Sequence, residues 1–330
     1  MKLLTIVLPT YKRCKYVEEN VRLLTPQLKK HIDDVSLIVT DNASNDGTSE
    51  AIKSLMTSDC DIRYNCHNTN IGAHGNFYWG IENSDSEFVF LLGDDDICSP
   101  NFLDCVIPIL KDGGDTLGIL HFNYMMGAAD LKRVSLFNTE INNVELVETY
   151  DNPKIFIRTH WTGPSFMSSL IFRKSIMEKG KRLNYHEDCY GYDWLLALYT
   201  GVMDYKCVYY KIPLLIQRFG GSYSKFALNT VLGQYRLFKY LEDYIPGISN
   251  EWNVQVANQR YYNVLDVLLT ISHSRNLYKT YYNEMKSSLA SRFHKLILYV
   301  VTYVPSNVSQ LLLKPIAFIN RAVRYIKYHH

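Results

Sequence analysis

The chain has 330 residues, enough for two domains or for one large domain with an appended part. Apolar residues make up 47% and charged residues 21%, which excludes a disordered, collagenous or coiled-coil chain. The formal net charge is +2, but residues 285–330 hold seven Lys or Arg and no acid, leaving 28 basic against 33 acidic residues elsewhere. An acidic body argues against nucleic acid as partner, and a basic tail points to an anionic surface.

In chain order, Leu3 to Leu8 is a near-continuous apolar run, the pattern of a strand buried on both faces. Pro9 ends it. Val17, Val21, Leu24 and Leu28 then recur at helical spacing. Val35 to Thr40 reads as a second strand, Asp41 to Gly47 as dense turn chemistry, and Thr48 onward as a helix. Ile62 to Tyr64 reads as a short strand and Phe88 to Leu92 as a strong one. Ser99 and Pro100 are expected to open the next helix as N-cap and first helical residue. Leu117 to Phe122 is the next strand. The middle, about 123–225, is less regular, with strands expected at Ser169 to Phe172, Cys207 to Tyr210 and Leu214 to Ile216, and a helix at Asp193 to Leu198. After about 226 the pattern is helical, with one helix from Leu228 and another holding Val264, Val267, Leu268 and Ile271. Alternating strands and helices specify a mostly parallel sheet flanked by helices, with a C-terminal helical extension.

Seven cysteines, without a CxxC pair, suggest neither a disulfide framework nor a zinc site. No run of eighteen apolar residues and no signal-peptide pattern is found, so a cytoplasmic chain is expected.

Open parallel sheets bind ligands beyond the carboxyl ends of their strands. Three turns lie there: Pro9-Thr10-Tyr11, the Asp41 turn, and Gly93-Asp94-Asp95-Asp96. Three adjacent carboxylates repel one another unless a cation sits among them. Hard oxygen donors suit Mg2+ or Mn2+, and Mg2+ commonly takes one or two carboxylates plus substrate phosphates.

Ile6 to Tyr11, Val39 to Thr48, Asn70-Ile71-Gly72 with Asn76, and Phe90 to Asp96 together resemble the family 2 glycosyltransferases of the GT-A (Rossmann-like) fold, with an abequosyltransferase-like subgroup of bacterial surface polysaccharide synthesis most similar. The resemblance is strong over residues 1 to about 110, weaker to about 225 and absent beyond. It implies a catalytic domain over 1–225, with 1–110 binding the nucleotide-sugar and 111–225 on the acceptor side; residues 226–330 are a separate helical region that either associates with membrane or packs as helices. It also implies an inverting, metal-dependent transfer of one sugar from a UDP-, CDP-, GDP- or dTDP-sugar to a glycan or polyprenyl-diphosphate-linked glycan, as in O-antigen or capsule assembly.

By the same resemblance, Pro9, Thr10, Tyr11, Asp41, Asn42, Asn76, Asp94, Asp95 and Arg218 hold the donor, with Asp41 accepting from the base edge. Asp96, then Asp95 and Asp94, hold Mn2+ or Mg2+. Gly93 stands where the family commonly has the first Asp, and Asn42 where it often has a second Asp. For Asp46, a turn or helix-cap role is the stronger reading.

An inverting transfer needs a base for the acceptor hydroxyl, and a carboxylate can serve. Asp193, in Gly191-Tyr192-Asp193-Trp194, fits the order of the family's motif, with Tyr192 in place of its usual Glu; Asp188, after Glu187, is the runner-up. Gln217 to Ser224 resembles the loop that closes over the diphosphate, and Arg218 there can neutralise leaving-group charge. Trp161, in the loop His160 to Ser165, is either a sugar-stacking or a core residue. No QxxRW is present, which favours a single transfer over processive synthesis.

Phe293, Leu296, Leu298, Tyr299, Val300, Leu311, Leu312, Ile316, Phe318, Ile319 and Ile326, interleaved with basic residues, read either as a surface for anionic membrane on its inner face or as packed helices. Rival functions are sugar-nucleotidyl transfer and nucleotide-sugar binding without catalysis. The first lacks its Gly-rich loop after strand one. The second sits poorly with the retained carboxylates.

Overall fold

The computed structural model describes residues 1–128, 131–132, 134–136, 145–160, 166–184, 186–189, 191–219, 227–252, 279, 282–283, 286–287, 292–305, 307–309, 311–313 and 315–316. Two compact units result: Met1–Tyr185 with Ala197–Gly220, and His186–Leu196 with Gly221–His330.

The first unit is built on an eight-stranded sheet. Its parallel half comprises β1 (Lys2–Thr10), β2 (Val35–Asp41), β3 (Ile62–Cys66) and β4 (Ser86–Leu91), in the order β3-β2-β1-β4. Helices α1 (Cys14–Lys30), α2 (Thr48–Leu55) and α3 (Gly72–Glu82) make the crossovers. Leu4, Ile6, Val7 and Leu8 are fully buried, as the unbroken apolar run of β1 requires. Each such side chain contributes roughly 1.5–3 kcal/mol.

The sheet continues through β10 (Leu170–Arg173), β6 (Leu117–Phe122), β11 (Lys206–Tyr210) and β9 (Val147–Tyr150). There β10 runs antiparallel to β4 and β6, while β6 and β11 are parallel. Helix α4 (Phe102–Gly113) precedes β6, and α5 (Pro153–His160) and α6 (Lys174–Leu183) flank β10 in sequence. The expected start of α4 needs correcting: its N-cap is Asn101, and Ser99 accepts a turn bond from the Phe102 N–H at 3.0 Å, so Ser99-Pro100 lies in the turn before the helix.

A second sheet, not anticipated from the sequence, has the order β5-β12-β7-β8, from β5 (Ile97–Cys98), β12 (Leu215–Phe219), β7 (Met125–Ala128) and β8 (Val134–Leu136). It pairs the residues just after the acidic triplet with those around Arg218. All seven cysteines are free thiols.

The second unit holds the turn Glu187–Cys189, helix α8 (Ala227–Leu241) and helix α9 (Arg292–Tyr303). The division falls inside α7 (Asp193–Gly201), between Leu196 and Ala197. Within this unit Trp252 stacks on Phe238 and His186 on Tyr240. On α9, Ile297, Leu298 and Val301 are buried, while Phe293, Leu296, Tyr299 and Tyr303 are exposed. Leu311 and Leu312 are exposed as well. Among the described residues no helix is long and apolar enough to cross a membrane. The helix expected around Val264 to Ile271, and Phe318, Ile319 and Ile326, lie outside the described residues.

Candidate active site

The register of the parallel strands aligns their carboxyl ends. Thr10 pairs with Asp41 and Asp41 with Cys66, while Val7 pairs with Leu91. The Leu92 N–H continues the ladder to Val7 O at 2.9 Å, so the acidic triplet leaves the sheet beside Thr10. Thr10, Asp41, Asn42, Asn76, Asp94 and Asp96 are all buried there. Six buried polar side chains at the carboxyl ends of the strands are costly unless they are tied together or meet a ligand.

Asp41 sits at the base of the turn it opens. Its Oδ1 accepts the Ser44 N–H at 3.0 Å and also the Ser44 hydroxyl, and its Oδ2 accepts the Tyr64 hydroxyl at 2.7 Å. Burial and the nearby Asp41 carboxylate push the Tyr64 phenol upward, so Tyr64 stays a donor to Asp41. Ser44 Oγ also accepts the Lys12 N–H at 2.8 Å, which links the first strand-end turn to the second. Asn42 donates to Asn70 Oδ1 at 3.0 Å and accepts the Ile71 N–H at 2.8 Å, pinning the entry to α3. Asn76, on α3, donates to Thr40 O at 2.9 Å. Asn76 Oδ1 and Thr40 Oγ1 are buried without a hydrogen-bond partner among the described residues. Tyr11 is 40% exposed, and hydrogen bonding with Asn70 and Lys12 lowers its phenol from the ordinary value. Pro9 is half-buried at the end of β1. Lys12, Ala43 and Asn45 all have left-handed backbone, with φ of 55°, 62° and 50°. That geometry costs roughly 1–2 kcal/mol for Lys and Ala, so strain concentrates in these two turns. Asp46 is the turn residue its position suggested, accepting the N–H groups of Thr48 and Cys14 at 3.2 and 3.1 Å.

The acidic triplet divides two ways. Asp94 Oδ2 accepts the Thr10 hydroxyl at 2.8 Å and Oδ1 accepts Arg13 Nη1 at 2.8 Å. The same Nη1 reaches Asp95 Oδ2 at 2.9 Å, and Asn20 fixes the Asp94 carbonyl. Asp96 turns to the other side, where Oδ2 accepts the Ser168 hydroxyl at 2.6 Å and Oδ1 the Arg218 N–H at 3.2 Å. Burial, with Asp95 and Asp94 nearby, pushes the Asp96 carboxyl up to about 7. Burial also raises Asp94, against the pull of Arg13 and Thr10. Gly93 leaves room for this fold-back: a Cβ there would stand 2.6 Å from Asp96 Oδ2 and 3.2 Å from Ser168 Oγ. An Asp at 93 therefore does not fit this arrangement without movement.

Among the described residues no three His, Cys, Asp or Glu side chains converge so as to hold a metal ion. The triplet nevertheless offers hard oxygen donors, and the charged form of Asp96 is disfavoured as it stands, so added positive charge suits it. The residues fit a divalent ion held by one or two carboxylates together with donor phosphates, rather than a closed cage.

Arg218 Nη2 donates to Glu19 at 3.0 Å, and its guanidinium lies 4.9 Å from the Tyr16 ring centroid. Its backbone, through Asp96, ties β12 to the triplet. The rest of the expected closing loop, from Gly220 to Ser224, and Trp161 lie outside the described residues.

Asp193 and Asp188 belong to the second unit. Asp193 opens α7 and is 1% exposed, an acidic residue in a first helical turn where the dipole favours negative charge. Asp188 accepts the Tyr240 hydroxyl at 2.9 Å and pairs with Arg236 at 3.3 Å, which fastens the Glu187–Cys189 turn to α8.

Sequence reasoning missed Arg13, Asn20, Tyr64 and Ser168 as parts of this site. Each reaches it across 23 to 81 positions of chain. Only the basic Lys12-Arg13 step after β1 offered a local signal.

Comparison with known proteins finds the following similarities. Residues 5–176 match the family described as Glycosyl transferase family 2. The chain is 24% identical over 324 residues to the Campylobacter jejuni GalNAc(5)-diNAcBac-PP-undecaprenol beta-1,3-glucosyltransferase, covering 95% of this chain and 97% of that protein. It is 27% identical over 158 residues to the Salmonella typhimurium abequosyltransferase RfbV, covering 48% of this chain and 42% of that protein. Among solved structures, S. aureus TarS 1–349 is similar at 13% identity over 98% of this chain and 92% of that one, with a TM-score of 0.49.

Proposed function

The chain belongs to glycosyl transferase family 2 and has that family's GT-A architecture, and on that premise we propose that it moves one sugar, with inversion, from a nucleotide-sugar to a lipid-linked glycan in bacterial surface polysaccharide assembly. The observation that carries the reading is the convergence of Thr10, Asp41, Asn76 and the acidic triplet at one strand edge. The proposed acceptor class is supported by the Campylobacter jejuni relative, whose name gives an undecaprenol-linked glycan.

In this reading Asp41 accepts from the nucleoside base, held for that role by Ser44 and Tyr64. Pro9, Thr10, Tyr11, Asn42 and Asn76 shape the nucleoside end, and Asp94, Asp95 and Arg218 the diphosphate end. Asp96, with Asp95, is the first choice to hold Mn2+ or Mg2+, which when bound neutralises diphosphate charge on the leaving group. The acceptor hydroxyl oxygen forms its bond to the anomeric carbon as the bond to the nucleoside diphosphate breaks. Asp193 takes the hydroxyl proton. A lipid-linked acceptor places the work at the inner face of the cytoplasmic membrane, with residues 226–330 as the associating region.

The test is transfer from a panel of UDP-, CDP-, GDP- and dTDP-sugars to a polyprenyl-diphosphate-linked glycan, with the anomeric configuration of the product read by NMR. One donor giving one added sugar of inverted configuration supports the reading. Retained configuration refutes the single displacement, and release of inorganic diphosphate from a sugar phosphate and a nucleoside triphosphate favours nucleotidyl transfer.

A further inference from the structure

Three adjacent carboxylates need a cation, and this chain supplies one. Arg13, immediately before α1, places a single amino group on both Asp94 and Asp95, at 2.8 and 2.9 Å. Thr10 occupies the remaining oxygen of Asp94, and Asn20 its backbone carbonyl. Asp94 is therefore satisfied within the protein and almost fully buried. Asp96 is engaged on the opposite side by Ser168 and Arg218. Asp95 is different: its side chain is 23% exposed and its hydrogen bond among the described residues is to Arg13. The Arg13 side chain is itself 37% exposed, so it has room to leave.

We propose that Arg13 is a resident counter-cation of the donor site, which competes with a divalent ion for Asp95 and passes to the donor's diphosphate when that ion is bound. A guanidinium and a divalent ion at one carboxylate repel each other, so binding of either weakens the hold of the other. The guanidinium has a natural second partner, because its planar fork matches phosphate oxygens as well as it matches carboxylates. Arg13 thus bridges Asp94 and Asp95 before the ion binds and contributes positive charge to the diphosphate afterwards. The inference rests on reading the triplet as the metal and diphosphate end of the donor site.

The two halves of this role have opposite signs on mutation. In Arg13→Gln the competitor is gone, so Mn2+ alone should bind the full-length protein at least about tenfold more tightly, read by electron paramagnetic resonance of free Mn2+. A nucleoside diphosphate (UDP, CDP, GDP or dTDP) at saturating Mn2+ should bind the same variant more weakly. Arg13→Lys keeps a cation and should bind Mn2+ about as the wild type does. A residue with only a structural role would not tighten Mn2+ when removed.

Wild-type protein carrying 15N-arginine provides a measurement that needs no folded variant. Diamagnetic Mg2+ should move one arginine Nε–H signal, and arginine signals that all stay in place under saturating Mg2+ overturn the inference. If the wild type binds both Mn2+ and a nucleoside diphosphate while Arg13→Gln gains nothing for Mn2+, the inference alone fails. If the wild type binds neither, the reading of the triplet fails and takes the inference with it.

Discussion

Ser168 and Asp96, 72 positions apart, are joined by a 2.6 Å hydrogen bond within the strand-end cluster. The same hydroxyl accepts the Gly93 N–H at 2.9 Å, so one side chain closes the turn that carries the triplet and orients its last carboxylate. Both residues are buried. Removing the hydroxyl leaves a buried carboxyl oxygen without its donor, at a cost of about 1–3 kcal/mol.

Ser168→Ala should therefore lower thermal stability and raise the donor KM, whereas Ser168→Thr, which keeps the hydroxyl, should restore much of both. Melting curves and initial rates test this. A Ser168→Ala protein with wild-type stability and donor KM makes the contact incidental.

The sequence made the parallel half of the fold legible because β1, β2 and β4 are buried on both faces. Runs such as Leu3 to Leu8 and Phe88 to Leu92 have no competing period. The strand-end rule then located Thr10, Asp41 and the triplet without any contact being known. It could not show that Arg13 crosses to Asp94 or that Ser168 reaches Asp96, because both contacts depend on how distant segments lie side by side. The second sheet escaped for another reason. Ile97–Cys98 and Val134–Leu136 are strands of two and three residues, too short for alternation to register. The start of α4 was misjudged because Ser-Pro is an equally good turn, and here the turn prevailed.

Acid should weaken the fold through two histidines. Burial, together with the neighbouring His160, holds His121 down to about 3. Burial holds His160 down to about 4 against the pull of Glu148. The His121 Nδ1–H donates to Ser169 O at 2.9 Å, and His160 Nε2 lies 2.9 Å from the Tyr150 hydroxyl. The unfolded chain takes up these protons near pH 6.5, while the folded chain does so only near 3–4, so stability falls as pH drops from about 6.5 toward 4. Asp96 acts in the opposite sense, because its raised carboxyl is protonated more readily in the folded chain as pH falls through about 7. A His121→Asn, His160→Gln double variant should therefore lose less stability than the wild type between pH 6.5 and 4. Denaturant titrations at a series of pH values measure it, and parallel curves for the two proteins would refute the assignment.

Asp193→Asn should separate binding from chemistry. It keeps the shape of the side chain and removes its basicity, so donor affinity should hold while transfer falls about 10²–10⁴-fold. Asp188→Asn weakens the contacts to the buried Arg236 and to the Tyr240 hydroxyl, so it should lower stability by about 1–3 kcal/mol and leave transfer near wild type. Donor affinity and transfer rate with a lipid-linked acceptor decide the matter. An active Asp193→Asn beside a dead Asp188→Asn moves the base to Asp188.

The tail should bind anionic vesicles. Residues 285–330 carry no acid, and α9 exposes Phe293, Leu296, Tyr299 and Tyr303 opposite its buried face. Cosedimentation with phosphatidylglycerol vesicles should weaken as salt rises and should fall sharply in a Phe293→Ser, Leu296→Ser, Tyr299→Ser variant. Binding that survives both changes would place the membrane contact elsewhere.

A nucleotide-sugar site completed by a divalent ion is the proposed role of the strand-end cluster. Calorimetry of the full chain with the nucleotide-sugar panel, with Mn2+ and then with EDTA, tests it most directly. One preferred nucleotide is expected, bound far more tightly with Mn2+, with a metal-dependent gain that shrinks at least about tenfold in Asp96→Asn, the loss of one charged contact. Donor affinity unchanged by EDTA and by Asp96→Asn would contradict it.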